Sequence, residues 1–212
     1  MRVAVFGGTG PTGRLIVHEL LARGDEVAAF ARSLERLSLH GERVEVVAGE
    51  LSDAAAVART LTGADAVASA LGPHGRSPGL PISAGVRRIV SAMGDAGVRR
   101  IVQVSTASAH DLLDAPDFKQ QLLVSAVRTL VPTAYREVVA IAEVLRGSDL
   151  DWTLVRVPLL RTTHRPPADV RVGYPGRDDI GFFVSRESLA RFAVDEIGVR
   201  RFVRQAPMVC DR

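Results

Sequence analysis

Residues 5–15 read VFGGTGPTGRL: an apolar approach, a glycine-rich turn, then a proline that opens a helical pattern. Gly7, Gly10 and Gly13 stand three residues apart. Such a run is a weak signal alone, and it gains meaning by following a strand and opening a helix. Gly7 permits the tight turn out of the strand, and Gly10 lets backbone approach a pyrophosphate. Gly13 lets the helix pack close to the sheet. The N–H groups at the helix start then face the anion. Pro11 fits the first helical position, and Thr9 and Thr12 add hydroxyls for phosphate oxygens. The stretch predicts a dinucleotide clamp.

Working outward, short apolar runs alternate with stretches of helical period, the pattern of βαβ units and a parallel sheet. Strands are predicted at 3–6, 27–31, 43–47, 64–70, 100–105 and 152–157. Helices are predicted at 11–22, 53–61, 82–96 and 186–197, with Gly24 ending the first and Asp53 capping the second. Residues 116–146 are helical with a break at Pro132, and 207–209 make a short final strand. The segment 160–181, with three prolines and four arginines, is expected to form an irregular lid. The fold class is therefore α/β, a Rossmann-type doubly wound parallel sheet in three layers. One NAD(P)-binding domain is expected over 1–212, with residues 160–212 supplying a loop-rich substrate-side lid and final helix.

Composition narrows the functions. The 212 residues are 47% hydrophobic, ample for a core. Twenty-seven basic against 24 acidic residues leave a net charge of +3, and aromatics are only 5%. No basic run interleaves with aromatics, so nucleic acid is not an expected partner. No apolar run approaches the roughly 18 residues needed to cross a bilayer. The opening MRVAVFGG passes straight into a strand, so no leader is expected. One cysteine, Cys210, cannot make an internal disulfide, which fits a reducing cytoplasm. The partner expected is a small-molecule substrate; monomer and homodimer both stay open.

The end of the second strand selects the dinucleotide. NAD binders commonly carry an acidic residue there for the ribose diol. Here the chain reads AFARSLERL, with Arg32 in that place, then Ser33 and Arg36. Arginines there make charge-assisted bonds to a 2′-phosphate, with Arg14 a further candidate, so NADP(H) is predicted. Glu50 and Leu51 after the third strand suit the adenine, and the Ser69–Gly72 turn lets the cofactor pass.

The succession VFGGTGPTGRLIVHELL, AFARSLERL, VVAGELSDAAAV, ADAVASALG, VRRIVQVSTAS and LDWTLVRVPLL resembles the atypical short-chain dehydrogenases. Within them it is similar to the NAD(P)H-binding group of biliverdin-IXβ/flavin reductase and NmrA-like proteins, over about residues 1–160. The resemblance implies cofactor contacts at Gly7, Thr9, Gly10, Pro11, Thr12, Gly13, Arg32, Arg36, Glu50, Leu51, Leu71 and Gly72. It also implies that Ser105 and Thr106 flank the nicotinamide with Val157 and Pro158. The reductase branch has a histidine after that proline; this chain has Leu159.

Typical short-chain dehydrogenases use a Tyr-x-x-x-Lys pair, whose lysine lowers the tyrosine pKa for proton transfer. Here Tyr135 is followed four residues on by Val139, Lys119 is the sole lysine, and asparagine does not occur. Ser105, Thr106 and Tyr135 are the remaining catalytic candidates. His74 and His110 lie on loops at strand ends, and no histidine shows metal-ligand spacing. An acceptor tolerant of weak acid catalysis is expected, such as a flavin, a quinone or another conjugated molecule. A non-catalytic NADP(H) sensor and an isomerase or epimerase on the same fold are the alternatives.

Overall fold

The computed structural model describes residues 1–32, 43–73, 81–163 and 169–212. Its first half is β1 (Arg2–Phe6), α1 (Pro11–Ala22), β2 (Glu26–Ala31), β3 (Val44–Ala48), α2 (Ala54–Leu61), β4 (Ala66–Ser69) and α3 (Pro81–Asp95). Then come β5 (Arg100–Thr106), α4 (Phe118–Leu130), α5 (Pro132–Arg146), β6 (Asp151–Val157) and β7 (Leu159–Arg161). The chain continues through β8 (Val170–Gly173), β9 (Phe183–Ser185), α6 (Arg186–Val199) and β10 (Met208–Asp211).

The main sheet has the order β3-β2-β1-β4-β5-β6-β10-β8. Every pairing is parallel except that of β8 with β10. Alternate side chains of each strand enter opposite cores. Ala4 and Phe6 join Phe30, Leu61, Ile89 and Ile141 on the face covered by α2, α3 and α5. Val3 and Val5 join Ile16, Leu20, Leu189 and Ile197 under α1 and α6. Burying each such large side chain stabilises by about 1.5–3 kcal/mol, which is why both faces must be covered. The predicted doubly wound Rossmann-type sheet is present.

The ends of the elements have local causes. Gly24, at φ +86°, closes α1: its N–H reaches the Leu21 carbonyl at 3.0 Å, and Asp25 N–H reaches Leu20 at 3.1 Å. That is the paired bond set of a left-handed helix stop. The Asp53 carboxylate accepts from Ala56 N–H at 3.0 Å and caps α2. Pro132 divides the helical stretch into α4 and α5 because its ring cannot continue the helix it enters.

The C-terminal third corrects one expectation. Part of 160–181 is strand: β7 pairs with β9 in a separate ribbon, and β8 forms the edge of the main sheet. A buried polar cluster helps fix this region. Arg156 makes two 2.6 Å bonds to the Asp114 carboxylate, and Arg100 lies 3.1 Å from Glu196. Burial pulls the Arg100 guanidinium below its ordinary pKa, against the opposing pull of Glu196.

Candidate functional site

The sheet order places β1 beside β4 while the connections leave them on opposite faces, which opens a crevice at their carboxyl ends. Gly7 turns out of β1 at φ +81°, and a Cβ there would come within 2.9 Å of the Ala70 carbonyl carbon. Gly10 N–H donates to the Gly7 carbonyl at 3.1 Å and closes the turn. Gly13 packs on that same carbonyl, where a Cβ would stand 2.1 Å from the oxygen. Gly7 and Gly13 are thus demanded by the fold itself.

Gly10 and Gly72 are not. A Cβ on Gly10 would meet only the Gly7 oxygen at 3.4 Å, and one on Gly72 nothing within 4 Å. Both line a cavity of about 240 Å³ that also touches Pro11, Thr12 and Gly13. Gly10 is the N-cap of α1, with no side-chain cap and no acidic residue in the first turn. Backbone N–H groups and the positive end of the helix dipole therefore open onto space that side chains would fill. These residues fit a dinucleotide phosphate.

The cavity continues to the ends of β5 and β6 at Val104, Ser105, Thr106 and Val157. Ser105 is buried, and the Thr106 hydroxyl is engaged by Ser108 N–H at 3.4 Å. Helix α5 contributes Val138 and Ile141, β7 contributes Leu160, and α6 contributes Arg186.

A model of NAD(P)H-binding proteins matches residues 7–198 of this chain. The chain belongs to the NAD(P)H-binding family. A Mycobacterium tuberculosis protein is 36% identical over 110 residues, 52% of this chain and 12% of its own length. A Streptomyces griseus enzyme, (4-alkanoyl-5-oxo-2,5-dihydrofuran-3-yl)methyl phosphate reductase, is 32% identical over 154 residues, 73% of this chain and 46% of the enzyme. The chain thus spans half or less of the length of these relatives. A short-chain dehydrogenase/reductase from Veillonella parvula, solved in complex with NADP, superposes with a TM-score of 0.81 at 20% identity. That alignment covers 99% of this chain and 94% of the other, and shows the shared fold.

In this NAD(P)H-binding protein the expected site residues fall into three groups. Gly10, Pro11, Thr12, Gly13, Leu71 and Gly72 meet around the cavity, as do Ser105, Thr106 and Val157. Arg32 is exposed directly after β2, while Ser33, Arg36 and His74 lie outside the described residues. Gly7, Thr9, Glu50, Leu51, Tyr135 and Pro158 do not line the cavity. Leu51 instead packs on α3, where a Cβ at Gly85 would meet it at 2.7 Å. Tyr135 is half-buried, one turn ahead of Val138 on α5. Arg14 Nε donates to the Thr9 carbonyl at 3.1 Å, bracing the loop. His110 is 76% exposed and stands off the cavity beside Asp114. Among the described residues no group of three His, Cys, Asp or Glu side chains could hold a metal ion, and no helix is long and apolar enough to cross a membrane.

Three contributors lay beyond sequence reasoning. Gln103, fully buried, donates to the Leu71 carbonyl at 2.8 Å and pins the β4 turn. Glu137, 2% exposed, accepts from the N–H groups of Ile82 and Ser83 at 3.0 and 2.8 Å, capping α3 from α5. Both were visible only as polar residues in apolar periods. Arg186 gave no signal beyond its place at the start of a helix.

Proposed function

We propose that this protein is an NADPH-dependent reductase that passes hydride to a flavin, a quinone or another conjugated small molecule without a Tyr–Lys pair. The observation that carries this reading is the continuity of one cavity, from the α1 N-terminus to the ends of β5 and β6. A phosphate held at one end leaves an apolar chamber of Val104, Val138, Ile141, Val157 and Leu160 at the other. When bound, the reduced nicotinamide supplies the hydride. The chain's own work is to orient and to exclude water. Thr12 and the first turn of α1 hold the pyrophosphate, while Ser105 and Thr106 present hydroxyls to the carboxamide or acceptor. Tyr135, half-buried on α5 one turn ahead of Val138, stands outside this lining.

Lys119 is exposed on α4 and lines a separate surface pocket with Asp178 and Asp179, which supports a reaction without a Tyr–Lys pair. Positioning then supplies much of the rate, which suits an acceptor whose delocalised system takes hydride while solvent gives the proton. The Streptomyces relative's name as a reductase of an oxo-dihydrofuran phosphate supports such an acceptor. For the choice of NADPH, support comes from Arg32 standing where an NAD binder carries a carboxylate. The single cysteine, buried in β10, is in keeping with a reducing cytoplasm.

The sparse polar lining also favours a second reading, a redox sensor that binds NADP(H) and regulates a partner. Protein mixed with NADPH and a panel of flavins, quinones and dicarbonyls, followed at the reduced-nicotinamide band, separates them. The reductase consumes NADPH with at least one conjugated acceptor. NADPH binding with no turnover across the panel supports the sensor instead.

A further inference from the structure

Arg186 is the one charged side chain among the described residues that line the cavity. It occupies the first position of α6, where a cation opposes the helix dipole and gains nothing for helix stability. Its neighbours in the same region are neutralised. Arg161 binds Asp211 at 2.7 Å, Arg191 binds Asp169 at 2.9 Å, and Arg156 holds Asp114. Arg186 has no carboxylate partner among the described residues; its guanidinium donates to the Thr162 hydroxyl at 2.7 Å. That bond orients the group without cancelling its charge, and leaves donors of a planar fork unspent.

Helix α6 packs along α1, so Arg186 and the α1 N-terminus open on one cavity. The bond from Arg186 to Thr162, which follows β7 of the β7–β9 ribbon beyond the end of β6, holds the guanidinium toward the β6 side, where the acceptor would lie. Leu160, two residues before Thr162, lines the cavity on that side. An apolar chamber with one half-buried, carboxylate-free guanidinium at its edge suits a flat conjugated body bearing one oxyanion.

Resting on the reductase reading for the word acceptor, we infer that Arg186, oriented by Thr162, anchors a carboxylate or phosphate group of the second ligand and so sets the substrate class as anionic. The test titrates NADP⁺-saturated protein with two matched pairs, FMN against riboflavin and benzoate against benzamide. In each pair the members differ chiefly by the charged group. The charged member of at least one pair is expected to bind roughly ten- to a hundredfold more tightly, the worth of a charge-assisted hydrogen bond. Arg186→Gln removes that preference, Arg186→Lys keeps part of it, and both leave NADPH affinity and the thermal midpoint unchanged. No preference in either pair overturns the inference, as does failure of all four probes to bind. So does an Arg186→Gln variant that loses NADPH affinity while keeping the preference, which would assign the cation to the cofactor. Preferential FMN binding with no oxidation of NADPH by any flavin, quinone or dicarbonyl of the panel retains the anion site and sinks the reductase reading instead.

Discussion

The two ends of the cleft are made of different material. At the α1 end the surface is backbone: Gly10 and Gly72 clear the space, Gly13 packs the helix onto the Gly7 turn, and the helix start offers N–H groups to the cavity. At the β5–β6 end the surface is side chain, mostly aliphatic, with Ser105, Thr106 and Arg186 as its polar points. Backbone recognises what every dinucleotide shares, a pyrophosphate, and tolerates no added atoms. Side chains recognise what differs between acceptors, and they exchange without disturbing the fold. The first end is therefore strict and general, the second permissive and specific.

Substitutions can break that contrast, and the largest effect is expected at Gly13. Gly13→Ala drives a Cβ into the Gly7 carbonyl, a backbone atom that cannot move aside. It should destabilise by at least the roughly 1–3 kcal/mol of ordinary overpacking, a fall in thermal midpoint of several degrees, and abolish binding of either dinucleotide. A midpoint equal to that of the unaltered protein would mean that the loop is not the tight structure described.

Arg32→Ala comes next. It should weaken NADPH by about 1.5–3 kcal/mol and leave NADH nearly untouched, measured by calorimetric titration of both. Equal losses would remove the preference for the 2′-phosphate.

Gly10→Ala separates fold from ligand. Space exists for its Cβ within the protein, so the thermal midpoint should hold, while NADPH affinity drops by roughly tenfold because the methyl group occupies the ligand's side of the cavity. Unchanged affinity would show that the cofactor does not approach that residue.

At the acceptor end, Ser105→Ala should lower kcat/KM by less than about tenfold, the worth of one neutral hydrogen bond. A loss of three orders of magnitude would make Ser105 a proton donor and this end as strict as the other.

The smallest effect lies outside the cleft and serves as a control. The Tyr174 phenol, whose hydroxyl donates to Gln205 at 2.7 Å, is pushed up to about 12, chiefly by burial and then by Asp111. A raised folded pKa gives stability that is present below the unfolded value near 10 and is lost as pH rises toward 12. Tyr174→Phe should flatten that part of the stability profile and leave cofactor binding alone, which alkaline melting curves and titrations would check.

The two ends also differ in how far they could be read from sequence. The α1 end is written in local order: strand, three glycines, proline and helix lie within twelve residues, from Arg2–Phe6 into the first turn of α1, and the parallel strands read as apolar runs because both faces are buried. The acceptor end is assembled from distant pieces. β8 pairs only with β10, some forty residues on and antiparallel, so its proline-flanked stretch looked like loop. Gln103 and Glu137 act across the fold on Leu71 and on α3, contacts that no spacing announces. Arg186 reached the cavity through the β7–β9 ribbon, whose three-residue strands are too short to leave a period. Leu51 suits the adenine by its place after β3, and its packing on α3 at Gly85 is a contact with a residue distant in sequence that this place does not announce.

Hydride transfer in this cleft is the central expectation, and kinetic isotope measurement tests it most directly. NADPH carrying deuterium at C4, on one face and then the other, would be oxidised by the protein with a flavin or quinone acceptor. A chamber that fixes the nicotinamide against the acceptor predicts slower oxidation with the label on one face and no slowing with it on the other. Bound NADPH that is consumed with neither label, or at rates indifferent to both, would contradict it.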